Sequence, residues 1–308
     1  MMCRITELKR HFTSRFTEQP NLICHAPGRV NLMGDHTDYN NGFVLPVAID
    51  FGTDIAVSKR DDRQVKVIAL DLKQSEVNFS LDNIQFDHQD SWSNYVRGSL
   101  LALMKSFPDI SGANLVISGN VPQGAGLSSS ASFEIAILSA FSKLYDLPLT
   151  GIDAALKGQQ AENNFVGCNC GIMDQLISAL GKQGHVLLLD CENLAPDYLK
   201  IPDELSILII NSNVRRGLVD SEYNVRREQC EAYANYCGKN SLREVTLAEL
   251  NNTKGKMDAI SYRRAQHVLS ENNRTLDMLK ALNNKDMEAI SQLMAESHRS
   301  LKNDFAVT

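Results

Sequence analysis

A glycine-rich turn between a predicted strand and a long predicted helix limits the possible folds of this chain more than any other feature. The turn is Val121-Pro-Gln-Gly-Ala-Gly126, and Leu127-Ser-Ser-Ser130 follows it. The apolar pattern predicts a strand over 113–118 and a helix over 127–145. Glycines let a backbone approach a phosphate closely, and the free N–H groups at a helix start favour an anion. The pattern favours a phosphate-binding turn, and a glycine turn with a serine N-cap is the alternative.

Three common glycine motifs do not fit this turn. A Walker A loop needs lysine after its second glycine, but Ala125 follows Gly124. A dinucleotide-binding fingerprint needs a third glycine where Ser129 stands. A hydrolase elbow needs glycine at the position of Ser130. The turn therefore belongs to none of these three classes.

A second segment, Ala26-Pro-Gly-Arg-Val-Asn-Leu-Met-Gly-Asp-His-Thr-Asp-Tyr-Asn40, concentrates polar side chains in a predicted strand and turn. Its candidate functional residues are Arg29, Asp35, His36 and Asp38. Because each carboxylate accepts two or more hydrogen bonds, the group suits a ligand with several hydroxyls. The alternative is a solvated loop that ends in the turn Asn40-Asn-Gly42.

A third segment, Gly167-Cys-Asn-Cys-Gly-Ile-Met-Asp-Gln175, places Asp174 at the start of a predicted helix. The helix dipole and a nearby cation such as Arg29 favour an ionised carboxylate, as a base or an orienter of a hydroxyl requires. An ordinary helix N-cap is the alternative for Asp174. Glu162, on the preceding predicted helix, is a candidate metal ligand, and a solvated surface position is its alternative.

Composition limits the class of protein further. A length of 308 residues predicts about two domains, and 43% hydrophobic with 22% charged residues is ordinary globular composition. The net charge of −6 argues against a nucleic-acid binder that neutralises phosphates. The longest apolar stretches have the length of a strand, far short of the roughly 20 residues of a membrane span.

The N-terminal residues and the cysteines bear on the cellular compartment. Residues 1–12 mix charged with apolar side chains and do not resemble a secretory signal. The seven cysteines are irregularly spaced, so we expect reduced thiols in a cytoplasmic protein. Cys168-Asn-Cys170 lacks the second pair that a typical metal site has.

The apolar patterns predict a strand-rich front half and a helix-rich back half. Strands are predicted around 25–28 and over 43–58, 64–70, 113–118, 185–190 and 206–211. Helices are predicted over 5–16, 93–107, 127–145, 152–165 and 173–180, and over most of 219–299. We therefore predict an α+β protein with two domains, residues 1–182 and 183–308.

Together, the three segments resemble the sugar kinases of the GHMP superfamily, and specifically the galactokinases. Gly28-Arg-Val-Asn-Leu-Met-Gly-Asp-His-Thr-Asp-Tyr-Asn40 is similar to the galactokinase signature, which is specific to these enzymes and close relatives. Pro122-x-Gly-x-Gly-Leu-Ser-Ser-Ser-Ala131 is similar to the phosphate loop of the whole superfamily. Gly171-Ile-Met-Asp-Gln175 and Ser221-Glu-Tyr-Asn-Val-Arg-Arg227 also match, so the resemblance runs from Pro27 to the last residue.

The resemblance implies a fold and a reaction. The fold is that of a two-domain GHMP kinase, with a mixed sheet and helices in the first domain and a helix-rich α+β second domain. The reaction is transfer of the γ-phosphate of ATP to the C1 hydroxyl of galactose, which gives galactose 1-phosphate in the first committed step of galactose catabolism. Mg²⁺ is the implied cofactor, and no nucleic-acid or membrane partner is expected.

The resemblance also implies roles for individual residues, carried over by matched position. Arg29 would stabilise charge near the transferred phosphoryl group, and Asp174 would act as base toward the C1 hydroxyl. Ser130 and Glu162 would hold Mg²⁺. The residues implied in sugar binding are Asp35, His36, Thr37, Asp38, Gly171 and Tyr223. Those implied in binding the ATP phosphates are Gly124, Ala125, Gly126, Leu127, Ser128, Ser129 and Ser130.

The sequence departs from the family pattern in two ways. The family has Glu at the position of Asp35, and the shorter Asp side chain reaches less far toward a sugar hydroxyl. Galactokinases continue beyond the point corresponding to residue 308 with a third glycine-rich motif, whereas the last glycine here is Gly255. We therefore expect an incomplete C-terminal domain, in a monomer that can associate through an exposed sheet edge.

Two alternatives to a galactokinase remain at this point. One is a non-catalytic or weakly active galactose-binding relative, which the shorter C-terminal region favours. The other is a GHMP kinase for another small sugar, which Asp35 allows and the run His36-Thr-Asp-Tyr-Asn40 opposes. Retention of Arg29, Ser130 and Asp174 favours the galactokinase.

Overall fold

A computed structural model describes residues 2–122, 124–211 and 220–307 of the chain. The strands are β1 (Leu22–Asn31), β2 (Phe43–Val44), β3 (Pro46–Lys59), β4 (Gln64–Ala69), β5 (Ser75–Ser80), β6 (Ala113–Gly119), β7 (His185–Asp190) and β8 (Ala195–Lys200). The α-helices are α1 (Met2–Phe16), α2 (Ser93–Met104), α3 (Ser129–Leu144), α4 (Gly151–Ala161), α5 (Met173–Leu180), α6 (Asp220–Tyr236), α7 (Leu247–Asn252), α8 (Ala259–Asn284) and α9 (Met287–Ser300). Gln123 and Val219, which the predicted turn and the predicted last helical region include, lie outside the described residues.

The chain forms two structural units that each draw on separate stretches of sequence. The first unit comprises residues 1–29, 49–170 and 174–180, and the second comprises residues 30–48, 171–173 and 181–308. Each unit has its own clusters of buried apolar side chains.

A five-stranded sheet with the order β1-β3-β6-β4-β5 forms the centre of the first unit. The central strand β6 pairs antiparallel with β3 and parallel with β4. Its side chains alternate between two apolar clusters: Leu115 packs with residues of α2 and α3, and Val116 packs with Leu8 and Phe12 of α1. Burial of both faces explains why the sequence of β6 is a nearly continuous apolar run.

The second unit combines a small sheet with a set of helices. The sheet has the order β2-β7-β8, with both pairs antiparallel. The long helix α8 begins after Asp258, whose carboxylate accepts hydrogen bonds from the N–H groups of Ile260 and Ser261. The side chain of Asp286 caps α9 in the same way, through the N–H group of Ala289.

Most predicted elements are confirmed, and the mixed α+β fold class is correct. The predicted helix over 152–165 is shorter as an α-helix, because α4 ends at Ala161 and a π-helical turn, Glu162–Val166, continues it. The apolar pattern does not predict β5 and β8, whose polar and charged residues hide the alternation of a strand.

The predicted strand over 206–211 is wrong. Within the described residues no strand pairs with this segment, and all six of its residues are exposed. Leu208 and Ile210 are 82% and 80% exposed. An apolar, β-branched run has strand propensity, but a strand forms only where a neighbouring strand satisfies its backbone groups.

Two further expectations concern membranes and cysteines. Among the described residues, no helix combines the length and apolarity required to cross a bilayer. The cysteines at 24, 168, 170, 191, 230 and 237 are free thiols. Across the same residues, no group of three or more His, Cys, Asp or Glu side chains is arranged to hold a metal.

Candidate active site

The glycine-rich turn lies between β6 and α3 in the first unit, as predicted. The φ angles of Gly124 and Gly126 are +70° and +73°, so both residues adopt the left-handed conformation that glycine accepts at no steric cost. Ser128 also has a positive φ, +58°, and α3 begins at Ser129. Ser128 stands at the N-cap position of α3, but its side chain makes no capping hydrogen bond to the helix. The N–H groups at the N-terminus of α3 are therefore available to an anion.

Arg29, Ser128 and Asp174 form one polar group, which we call the phosphate-loop cluster. Arg29 donates from Nε to Asp174 Oδ1 and from Nη2 to Asp174 Oδ2, each at 2.7 Å. Ser128 Oγ donates to the same Oδ2 at 2.5 Å. Arg29 Nη1 also donates to the carbonyl of Gly126 at 2.6 Å, which ties the guanidinium to the turn. Two parallel N–H···O bonds fix both planar groups, so the carboxylate of Asp174 is held in one orientation.

The local structure around Asp174 explains its position. It is the second residue of α5, so it lies within the first helical turn rather than at the N-cap. The positive end of the helix dipole and the guanidinium of Arg29 both favour a carboxylate there. The predicted pairing of Asp174 with Arg29 is confirmed.

Glu162 and Ser130, the two residues expected to hold a metal, are also brought together. Glu162 is only 7% exposed, which excludes a solvated surface position. Burial, and the charge of Asp174 nearby, raise the pKa of Glu162 to about 7, although hydrogen bonds from Ser130, Cys170 and Gln175 lower it in part. A buried carboxylate of this kind gains free energy from a bound cation.

A second buried carboxyl group lies next to Glu162. Gln175 Nε2 donates to Glu162 Oε2 at 2.8 Å and to Glu134 Oε2 at 3.0 Å. Burial and the charge of Glu162 raise the pKa of Glu134 well above its usual value. Glu134 was not predicted, and its only signal in the sequence is that it is a single acid within the apolar helix α3.

The polar segment of the second unit forms a loop over residues 34–43, which we call the 34–43 loop. Asp38–Asn40 make one 3₁₀ turn within it. Thr37 is fully buried, and its Oγ1 lies 2.7 Å from the carbonyl oxygen of Gly34 and 2.6 Å from that of Phe43. Thr37 thus closes the loop, and its predicted contact with a sugar stays a prediction.

His36 is held within an aromatic group in this loop. Its ring stacks on Phe305 with centroids 4.4 Å apart, and its Nδ1 lies 3.0 Å from the hydroxyl of Tyr39. The ring of Tyr223 lies 5.4 Å from that of His36. Tyr223 thus lies beside the loop, and its predicted role in sugar binding stays a prediction. Phe305 was missed, because nothing in its local sequence marks it.

Asp38 and Gly171 are in direct contact, although 133 residues of sequence separate them. A Cβ atom at Gly171 would overlap the carboxylate of Asp38, so any other residue there requires this carboxylate to move. Asp35 Oδ1 accepts a hydrogen bond from Asn31 Nδ2 at 3.0 Å. Carboxylates of the 34–43 loop thus have fixed neighbours, as a site for a polyhydroxylated ligand requires.

The regions that contain the 34–43 loop and the phosphate-loop cluster are similar to those of known proteins. Residues 10–59 match the galactokinase galactose-binding signature, and residues 94–182 match the GHMP kinases N-terminal domain. The structure is similar to that of Lactococcus lactis galactokinase complexed with galactose, with 32% sequence identity and a TM-score of 0.93. That match covers 99% of this chain and 81% of the Lactococcus chain.

More distant structures share the fold. Methanococcus jannaschii mevalonate kinase is 20% identical, with a TM-score of 0.59 over 93% of this chain and 80% of its own. Streptococcus pneumoniae phosphomevalonate kinase is 10% identical, with a TM-score of 0.60 over 92% of this chain and 80% of its own.

Proposed function

Since this chain belongs to the galactokinase family of GHMP kinases, we propose that it transfers the γ-phosphoryl group of ATP to the C1 hydroxyl of galactose. The product is galactose 1-phosphate. The observation that carries the proposal is the bidentate pairing of Arg29 with Asp174 beside the glycine-rich turn, in a chain that also has the galactose-binding signature. Phosphoryl transfer requires positioning and neutralisation of oxygen charge, with little covalent work by the protein.

The residues of the first unit bind the nucleotide in this proposal. The ATP phosphates contact the backbone of residues 124–130 and the N-terminus of α3, where Gly124 and Gly126 allow close approach. Arg29 stabilises the negative charge of the transferred group. Asp174 accepts a hydrogen bond from the C1 hydroxyl, orients it and receives its proton. The bond of Asp174 to Ser128 keeps that carboxylate aligned before substrate binds.

Ser130 and Glu162 hold Mg²⁺ in this proposal. Both residues supply the oxygen ligands that Mg²⁺ prefers. Burial raises the pKa of Glu162 to about 7, and a neighbouring cation would compensate the buried negative charge. Two protein ligands suffice, because Mg²⁺ in kinases completes its coordination with water and phosphate oxygens. When bound, the ion neutralises phosphate charge.

The residues of the second unit bind galactose in this proposal. Asp35, His36, Thr37 and Asp38 of the 34–43 loop, with Gly171 and Tyr223, surround the sugar. The contact of Asp38 with Gly171 and the packing of His36 near Tyr223 support this assignment. Gly171, which is proposed to bind the sugar, stands only three positions before Asp174 in the sequence. We also propose that the protein is a monomer and that it is cytoplasmic, and the free thiols of the described cysteines support the second of these proposals.

The test is galactose-dependent formation of ADP by the purified 308-residue chain with Mg-ATP. Asp174→Asn serves as the blank, and Asp277→Asn serves as the matched control, since Asp277 is an exposed aspartate paired with Lys280 on α8. Turnover in the wild type and in Asp277→Asn, but not in Asp174→Asn, supports the proposal. A folded protein that binds galactose by calorimetry but forms no ADP is a sugar-binding relative instead. Turnover with another sugar and none with galactose reassigns the substrate.

A further inference from the structure

One face of helix α8 contacts the backbone of the 34–43 loop at three points. The contacting side chains belong to His267, Glu271 and Asn272, and none of the three lies in a motif that the sequence analysis identified. Positions i, i+4 and i+5 lie close together on a helix surface, so one helix can present all three to the same loop.

Glu271 holds the start of the loop. Its Oε1 accepts a hydrogen bond from the N–H group of Gly34 at 3.1 Å and from Ser297 Oγ at 2.6 Å, and its Oε2 accepts from Arg274 Nε at 2.7 Å. The side chain is fully buried. A buried carboxylate is costly unless it is paired and hydrogen-bonded, and these three donors meet that condition.

Asn272 holds the end of the loop. Its Oδ1 accepts a hydrogen bond from the N–H group of Phe43 at 2.9 Å. The neighbouring Gly42 lies so close that a Cβ atom there would overlap Asn272 Oδ1. The loop and the helix are therefore fitted to each other at this point.

His267 contacts Asp35, the residue between Gly34 and His36. Its Nε2 lies 3.0 Å from the carbonyl oxygen of Asp35, and its Nδ1 lies 2.9 Å from Ser300 Oγ. A carbonyl can only accept, so Nε2 carries a proton and donates it to Asp35, while Ser300 Oγ itself donates to Asp304 Oδ2 at 2.9 Å. The imidazole is fully buried, and burial lowers its pKa.

We propose that His267, Glu271 and Asn272 are positioning residues of the sugar site, which set galactose affinity by fixing the backbone of the 34–43 loop. The inference rests on the proposed function, because it takes Asp35, His36 and Asp38 as sugar ligands. The three anchors bracket these ligands: two bind Gly34 and Asp35 at the start, and the third binds Phe43 at the end. A shift of about 1 Å in a binding group is enough to lower affinity or rate strongly.

The main variant is Asn272→Leu, which has a similar volume and removes the acceptor for the Phe43 N–H group. Asn272→Asp keeps an Oδ1 acceptor and is the conservative partner. His267→Gln keeps a donor for the Asp35 carbonyl, and His267→Leu removes it. Leu250→Ala is the stability control, because Leu250 is buried in the same unit and has no described hydrogen bond to the loop.

Two measurements decide the proposal. By calorimetry, we expect Asn272→Leu and His267→Leu to raise the galactose Kd about tenfold, since each leaves a buried polar group unpaired. The KM for ATP stays within about twofold, and Asn272→Asp and His267→Gln recover most of the affinity. By hydrogen exchange, the amide of Phe43 exchanges faster in Asn272→Leu and stays protected in Leu250→Ala.

Each outcome has a defined meaning. A galactose Kd that is unchanged in Asn272→Leu and His267→Leu overturns the proposal, and so does an equal loss of affinity in Leu250→Ala, which would mark a purely structural role. A wild-type protein that does not bind galactose contradicts the proposed function. In that case the exchange of the Phe43 amide still decides whether Asn272 anchors the loop.

Discussion

The phosphate-loop cluster and the 34–43 loop hold their functional side chains in different ways. In the cluster, the functional groups bind one another: Arg29 and Ser128 both donate to Asp174. In the loop, the backbone is fixed from outside, by polar side chains of α8 such as Glu271 and Asn272. A substitution in the cluster therefore acts directly on chemistry, whereas the shape of the loop depends on residues far away in the sequence.

The largest effect is expected in the cluster, from Asp174→Asn. The amide oxygen of Asn can still accept from Arg29, so the geometry is kept while the charge and the basicity of the carboxylate are lost. We expect kcat to fall by about 10²–10⁴-fold, with the galactose Kd unchanged. A coupled ADP assay and calorimetry measure the two quantities. Equal losses in both would show that Asp174 also binds the sugar and would weaken the contrast between the two regions.

The next effect is expected in the loop, from Gly171→Ala. The added Cβ atom overlaps the carboxylate of Asp38, which must move away from its present position. Loss of one charge-assisted hydrogen bond lowers galactose affinity by roughly ten- to a hundredfold. Gly119→Ala is the matched control, because the nearest atom to its added Cβ lies at 3.5 Å. If the two variants bind galactose equally well, Asp38 is not a sugar ligand.

A smaller effect is expected from Asp35→Glu. The longer side chain restores the reach of the residue found in the galactokinase family, so we expect galactose affinity to rise by up to about tenfold. Asp35→Asn keeps the length, removes the charge and lowers affinity. Calorimetry at one temperature compares the three proteins. His267 contacts the carbonyl oxygen of Asp35 and so fixes the backbone at this position. Weaker binding of galactose by the Glu variant would show that the loop is adapted to the shorter side chain.

The fold could be predicted where local sequence carries a regular period. The buried run of β6 and the apolar stripe of α3 belong to this class, and both elements are present. Strands β5 and β8 could not be found, because their alternation is weak and their pairing partners decide that they are strands. The strand predicted over 206–211 is absent for the opposite reason: the strand propensity of this segment is strong, but no described strand pairs with it.

The candidate site also contains some residues that the sequence predicts and others that it does not. The residues of the phosphate-loop cluster could be named in advance, because short motifs contain them, and the pairing of Arg29 with Asp174 follows from their opposite charges. The supports of the 34–43 loop could not be named. Glu271 lies 237 residues after Gly34, and Phe305 follows still later, so no local pattern indicates that either residue contacts the loop.

The smallest effect concerns the pH dependence of stability, and His267 is its source. Burial lowers the pKa of His267 below its usual 6.5, and the groups that face it are Glu271, Asp304 and Arg274. The unfolded chain therefore binds this proton more readily than the folded protein does. The contribution to stability is fully present above about pH 6.5 and is lost as the pH falls toward the lower folded pKa.

We therefore expect the melting temperature of the wild type to fall more steeply than that of His267→Gln between about pH 7.5 and pH 5.5. Scanning calorimetry at several pH values measures both slopes, and equal slopes would show that the pKa of His267 is the same in the folded and the unfolded protein. Because Gln keeps a donor for the Asp35 carbonyl and cannot take up a proton, the variant separates anchoring of the loop from titration.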